Sequence, residues 1–231
     1  MEIVQTSSEA MAIISCNDEA SGYLDWEISD VTLFYAPFTS NDKDVISWNS
    51  PSSSRGSANF NWQFCQLSGG AKYWNMKSAV YGNQPFTIFQ RLKPTNRRNY
   101  SSRLWYPYTL WFEIWELWSW SGRGDTPRFA RQEWSGQWWT QNSWTMPLNE
   151  RHCFVLVRDW TTTTVYKDKV PMTYEDWITP SWSTTTMRFS VNNSYDYYDW
   201  YVAHVGVEQK AWTQKDVDRF YKTTKKRMWL S

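Results

Sequence analysis

Histidine, cysteine, net charge and long apolar runs are all scarce in this sequence, and each scarcity removes a class of function. Of 231 residues two are His and three are Cys. Cys16, Cys65 and Cys153 are too few and too scattered for a disulfide framework. None forms a CxxC pair or falls at a His/Cys metal spacing, so all three thiols are expected to stay reduced. A formal net charge of +1 gives no general electrostatic reason to expect nucleic acid or an anionic membrane as partner. No window approaches a membrane span, and the start MEIVQTSSEAMAIISCNDEASG lacks the basic end and continuous apolar stretch of a signal peptide. The expectation is a soluble chain that is not exported by the usual route.

What the sequence has is aromatic mass, with 19 Trp and aromatics at 19%. That is ample volume for a core, yet so many indoles do not all fit between two sheets, so some should meet solvent or a partner. The apolar pattern alternates in short β-branched and aromatic runs, which predicts an all-β chain: a two-sheet antiparallel jelly-roll sandwich with one short C-terminal helix. Residues 1–30 read as an N-terminal arm and 31–231 as the single sandwich domain.

Val31 to Phe38 is the first strand, followed by a Ser/Pro/Gly-rich stretch from Ser47 to Asn59 that reads as a loop. In PFTIFQRLK, Phe86, Ile88 and Leu92 share one face, while Thr87, Arg91 and Lys93 share the other with Phe89, predicting one buried and one wet side. Thr109 to Trp120 reads as one long strand covered on both faces. His152 to Asp159 reads as a central strand leading through a tight turn at Asp159 and Trp160 into the hairpin TTTTVYKDKV. In MRFSV, Met187, Phe189 and Val191 point inward. Tyr201, Ala203, Val205 and Val207 then share one face of the last strand.

The helix signal is Thr213 as N-cap with Asp216 three residues on, and Trp212 placed to staple onto Val217. Val217, Phe220 and Tyr221 line one side, and the helix is expected to end near Lys226. The run Arg219, Lys222, Lys225, Lys226 and Arg227 reads as a solvated helix end favoured by the helix dipole, with a basic docking tail as the alternative.

The order HCFVLVRD, TTTTVYKDKV, MRFSV and DWYVAHVGVEQKAWTQKDVDRFY resembles the second half of a concanavalin A-like or laminin-G-like lectin/glucanase domain. PFTIFQRLK resembles the strand that opens that family's core sheet. In the family a strand ending in Arg-Asp leads to a Tyr-x-Asp-Gly hairpin. Here Lys169 follows Asp168 in place of the Gly, a departure expected to alter the turn and not the topology. The resemblance implies a jelly roll with a history of glycan or protein binding, in a fold that lectins, hydrolases and virion proteins share.

Glucanases of that family place clustered carboxylates on one strand, and FEIWELW carries Glu113 and Glu116. Three residues apart in a strand, they point to opposite faces and cannot flank one glycosidic bond; Trp115 stands where the motif would place an Asp. No catalytic residues are therefore assigned. His152 and His204 read as hydrogen-bonded strand histidines. Asn192, Asn193, Asp196 and Asp199 offer oxygen ligands suited to calcium but are also ordinary turn formers. The turn reading is preferred, so no cofactor or metal is expected. Arg123, Gly124 and Asp125 spell an adhesion tripeptide inside SGRGDTP and read as turn chemistry.

The preferred binding residues are Trp134, Trp138, Trp139, Gln141 and Trp144, which combine flat apolar faces with an amide as a sugar ring requires. Along one strand Trp134, Trp138 and Trp144 fall on one side and Trp139 with Gln141 on the other. Neither side is purely apolar, so one Trp-bearing face is expected to contact glycan or a neighbouring subunit. The expected role is a non-catalytic virion protein, a tailed-phage capsid decoration, fibre or tail component assembled in the host cytoplasm. Its expected partners are other virion proteins or copies of itself, with carbohydrate as a further partner, and neither nucleic acid nor membrane. A free-standing cellular lectin is the alternative, and a glycan hydrolase the third reading.

Overall fold

The computed structural model describes residues 28–38, 44–48, 50, 52–53, 57–60, 65–68, 72–93, 95, 100–104, 110–114, 117–119, 122–124, 128–132, 138–142, 149–160, 162–175, 183–190 and 199–229. Its strands are β1 Thr32–Ala36, β2 Ser52–Ser53, β3 Ser57–Phe60, β4 Cys65–Ser68, β5 Lys72–Tyr81, β6 Phe86–Lys93, β7 Tyr100–Leu104, β8 Leu110–Ile114 and β9 Leu117–Ser119. They continue with β10 Gly122–Gly124, β11 Arg128–Gln132, β12 Trp138–Asn142, β13 His152–Asp159, β14 Thr162–Lys167, β15 Val170–Glu175, β16 Ser183–Ser190 and β17 Asp199–Glu208, before helix α1, Gln214–Trp229.

Two antiparallel sheets form the sandwich. One runs β15-β14-β13-β6-β17-β4-β3, with β1 also on β17; the other runs β12-β11-β8-β7-β16-β5-β2. The expected all-β sandwich with one C-terminal helix is the observed fold. The opening strand, the central place of β13 between β6 and β14, and the Asp159/Trp160 hairpin are observed as read from the sequence. Val-, Thr- and aromatic-rich runs fit these half-buried pleated surfaces, where β-branched side chains pack well.

The two faces of β6 depart from expectation. Every residue from Phe86 to Leu92 is buried, including Thr87 and Arg91 on the face expected to be wet. The reason is α1, which lies across that face: Phe89, Cys153, Val155, Val157 and Tyr166 from the sheet pack with Trp212, Val217 and Phe220. Phe89, the apolar exception on a polar face, is the centre of this layer. Its ring centroid lies 4.7 Å from that of Trp212 and 4.9 Å from that of Phe220. Burying each such large side chain contributes about 1.5–3 kcal/mol, which fixes the helix to the sheet. The cap is as read: Asp216 N–H donates to Thr213 Oγ1 at 3.3 Å and Thr213 N–H donates to Asp216 Oδ2 at 2.9 Å. The helix itself runs to Trp229, beyond Lys226.

Other elements correct the sequence reading. The stretch 47–59 contributes β2 and the start of β3, whose pairing to β5 and β4 satisfies Ser-rich backbone that side-chain pattern alone assigned to a loop. Residues 109–120 are not one strand: β8 belongs to the seven-stranded sheet, whereas β9 forms a separate hairpin with β10. Arg123 and Gly124 accordingly sit in a strand, opposite Trp118 and Leu117, and not in a turn.

Alternation in β17 breaks at a bulge. Ala203 faces Arg91 and Gly206 faces Phe89, so His204 and Val205 together oppose Gln90. His204 takes φ 49° there, and all residues from Val202 to Glu208 are buried, so the single inward face expected for Tyr201, Ala203, Val205 and Val207 is not kept. At the β14–β15 turn, Asp168 and Lys169 take φ 50° and 75°. Lys169 thus adopts the left-handed region that favours glycine.

Candidate binding surface at one end of the sandwich

Two polar clusters lie under or beside α1, and both are structural. Arg91 is buried, its Nε donating to Thr224 Oγ1 and its Nη2 to the Tyr221 carbonyl, each at 2.5 Å. His204 Nδ1 meets the Tyr35 hydroxyl at 2.7 Å, and burial followed by the nearby Arg91 charge pushes its pKa well below 6.5. Burial pushes the neighbouring Cys153 thiol up to about 12, which leaves it an inert core group and not a nucleophile. Cys65 and Cys153 are both free thiols, buried in the core. The two histidines are hydrogen-bonded strand residues as expected.

His152 Nδ1 lies 2.7 Å from Asp168 Oδ2, and Cys153 N–H donates to Asp168 Oδ1 at 2.8 Å. Burial works to raise the Asp168 pKa, but the bonds from His152 and Cys153 outweigh it and the net displacement is below 3.8. A carboxyl depressed in the folded state stabilises above its unfolded pKa and loses that contribution as pH falls through the folded value. Asp168→Asn is therefore expected to cost about 1–2 kcal/mol at neutral pH. Urea titrations across pH should show its gap to the parent closing below the ordinary carboxylate pKa.

The open surface lies at the end of the sheet where β13 finishes. Arg158 of β13 pairs with Phe86, which opens β6 just after Pro85. Gln209, just past β17, ties this end together: its Nε2 donates to the Pro85 carbonyl at 2.8 Å and its N–H to the Val31 carbonyl at 2.9 Å. Tyr81 N–H in turn donates to Gln209 Oε1 at 2.8 Å. Nearby, Trp212 Nε1 donates to Glu208 Oε2 at 2.6 Å and Thr87 Oγ1 donates to the Lys210 carbonyl at 2.7 Å. The rim is therefore held in one conformation before any ligand arrives, which lowers the ordering cost of binding.

Two aromatic side chains stand open on this rim. Trp160 is 59% exposed and Tyr81 47% exposed. At the strand ends and turns of this end of the sandwich, Asp30, Asn83, Gln84, Asp159 and Lys210 are exposed as well. Trp160 occupies the two-residue turn between paired Asp159 and Thr162, with φ 51°. A bulky side chain in the left-handed region is an outlier costing about 1–2 kcal/mol, where Gly, Asn or Asp is the usual occupant. Trp160 is held there against local preference and presented to solvent, a combination that points to a contact residue. Trp160→Asn is expected to raise stability by about 0.5–1 kcal/mol in chemical denaturation, since Asn tolerates this region.

The Trp-rich stretch singled out from the sequence is described only in part. Trp134 and Trp144 lie outside the described residues, as do Glu116, Asp125, Asn192, Asn193 and Asp196. Trp138, Trp139 and Gln141 fall in β12, the end strand of its sheet, opposite Gln132, Arg131 and Phe129. Trp160 was legible only as a turn residue; the signal for more was a Trp at a position where turn chemistry calls for Gly or Asn. Among the described residues no group of three or more His, Cys, Asp or Glu side chains could hold a metal, and no helix is long and apolar enough to cross a membrane.

No protein-family model and no curated protein matches the chain. Solved structures match it in fold. The botulinum neurotoxin serotype D binding domain aligns with TM-score 0.67 and 10% identity over 84% of this chain and 52% of that one. The botulinum neurotoxin DC binding domain in complex with SialylT gives 0.65 and 11% over the same shares, 84% and 52%. A botulinum neurotoxin type C structure concerned with cell entry through two ganglioside molecules gives 0.65 and 12%, again over 84% and 52%. The chain spans about half the length of these structures, and at such identity the likeness establishes the β-sandwich fold alone.

Proposed function

We propose that this chain is a non-catalytic, lectin-like sandwich that binds glycans through the rim bearing Trp160 and Tyr81, and that it serves as a virion component touching host-surface carbohydrate. The observation that carries the glycan reading is Trp160, more than half exposed and held in a costly backbone conformation at the β13–β14 turn. Flat aromatic faces cover the apolar C–H faces of a sugar, while Asn83, Gln84, Asp30 and Asp159 supply donors and acceptors for its hydroxyls. The fold neighbours, a binding domain in complex with SialylT and a type C neurotoxin that enters cells through two ganglioside molecules, support this class of ligand.

The virion role, as capsid decoration, fibre or tail component, rests on the surplus of Trp and Tyr, residue types enriched at interfaces. The end-strand position of β12 supports Trp138, Trp139 and Gln141 as the proposed contact between subunits. Glycan-array binding of the full chain tests the carbohydrate reading. The parent should bind a restricted set of sugars and Trp160→Ala should lose at least tenfold in affinity, roughly what one anchor residue supplies. Unchanged binding by Trp160→Ala would contradict the assignment of the site. A stable oligomer in light scattering supports the virion role, whereas a sugar-binding monomer favours a cellular lectin.

A further inference from the structure

We infer that the basic face of α1 is the docking surface for the acidic N-terminal segment of the same chain, residues 1–27. Lys215, Arg219 and Lys222 are exposed at i, i+4 and i+7 of the helix, with exposed Lys225 beside them, opposite the face on which Val217, Phe220 and Thr224 are buried. Two carboxylates of the helix stand against these four cations and Lys210. Asp216 lies 3.8 Å from Lys210 and 3.9 Å from Arg219, so a single carboxylate is divided between two cations, and Asp218 accepts a hydrogen bond from Gln214 Nε2 at 3.1 Å. Glu208 is buried and engaged by Trp212 Nε1 and Thr32 Oγ1. The adjoining β14–β15 turn, whose Lys169 carbonyl accepts from Gln214 Nε2 at 3.3 Å, adds Lys167 and Lys169 against Asp168. Lys169 Nζ and Lys225 Nζ lie 5.1 and 5.5 Å from the centroid of the same Tyr221 ring. The excess on this side of the molecule is therefore positive.

Charge complementarity names the occupant. Residues 1–27 hold Glu2, Glu9, Asp18, Glu19, Asp25 and Glu27 and no Lys or Arg, in a chain whose formal net charge is +1. The segment is tethered at the helix layer. Ile28 packs against the cluster that contains Trp212, Val217 and Phe220, and the Val31 carbonyl accepts the N–H of Gln209, four residues before the Thr213 cap. A helix of 16 residues spans about 24 Å, whereas 27 residues of extended chain reach about 90 Å, so the segment is long enough to follow the whole basic face. Surface ion pairs are individually weak, but a tether of this kind holds the carboxylates near millimolar effective concentration and populates several pairs together.

The test is carbodiimide cross-linking of the full chain at low salt, which joins carboxylates to lysine amines in direct contact, with the products mapped by mass spectrometry in a mixture of isotope-labelled and unlabelled chains. The expected result is that carboxylates of residues 1–27 link to Lys215, Lys222 and Lys225 about tenfold more often than to lysines outside this side of the molecule, and within single chains. Arg219→Glu reverses the central charge and leaves those three amines in place, so it should lower the yield about threefold or more. Salt near 1 M should do the same to the parent, which keeps the test independent of how the variant folds. Links spread evenly over all lysines, or a yield that neither the variant nor salt changes, overturn the inference. Links that join labelled to unlabelled chains overturn it in favour of a second copy as occupant. An absence of links from residues 1–27 to α1 also overturns it and leaves the basic face to an acidic partner from outside the chain.

Discussion

Gly206→Ala is expected to destabilise the fold by about 3 kcal/mol or more, the upper part of the range for overpacking a core. A Cβ at this position would lie 2.1 Å from Phe89 Cζ, with two further ring atoms at 2.5 and 2.8 Å. The Phe89 ring has nowhere to go, since Trp212 and Phe220 of the helix layer press on it and Tyr35 lies 6.1 Å away. The bulge at His204 and Val205 brings β17 backbone onto this ring, so one added methyl is felt by β17, β6 and α1 together. Denaturant unfolding of the single variant and of Gly206→Ala/Phe89→Leu checks the cause. The smaller side chain should recover part of the loss, giving strong non-additivity between the two sites. Additive losses would mean that contact with Phe89 is not what the glycine relieves.

Arg91→Ala is expected to cost about 3 kcal/mol or more, because it removes the two bonds that tie α1 to β6 and empties a fully buried site. The guanidinium also lies 5.8 Å from the Phe220 ring centroid and 5.1 Å from that of Tyr221, so a cation–π contribution goes with it. Desolvation by burial, partly offset by charge interactions with Cys153, Tyr221 and Asp168, lowers its pKa. Keeping a cation there is itself costly, and Arg91→Met, of similar volume, should therefore recover more than half of the loss seen in Arg91→Ala. Thermal or denaturant unfolding, with helix followed by far-ultraviolet circular dichroism, separates the two. An equal loss in both variants would place the stabilisation in the hydrogen bonds and not in filled volume.

These effects mark what the sequence made legible. Local signals were strong where one element decides its own structure: Thr213 with Asp216 capped the helix, and the β-branched run after Asp159 and Trp160 made the hairpin. Signals failed where a second element intervened. Alternation in PFTIFQRLK identified the inner face through Phe86, Ile88 and Leu92, but nothing local says that a helix more than 120 residues later covers Thr87 and Arg91. Phe89 was the visible hint, an apolar residue on a polar face. The bulge in β17 was hidden for the same reason, since register is a property of two strands and the sequence of one strand reads as unbroken alternation. Trp160 reads in the sequence as a turn residue, because side-chain exposure and a left-handed backbone, which it shares with Trp48, are properties of the folded chain.

The most direct test of the central claim is localisation of a bound sugar by indole chemical-shift mapping, using a glycan that the array identifies. On titration the Trp160 indole N–H resonance, assigned by its absence in Trp160→Asn, should shift with ligand while the resonances of Trp138 and Trp139 stay in place. Shifts confined to Trp138 and Trp139, with Trp160 unmoved, would contradict the assignment and return the binding surface to the edge strand β12.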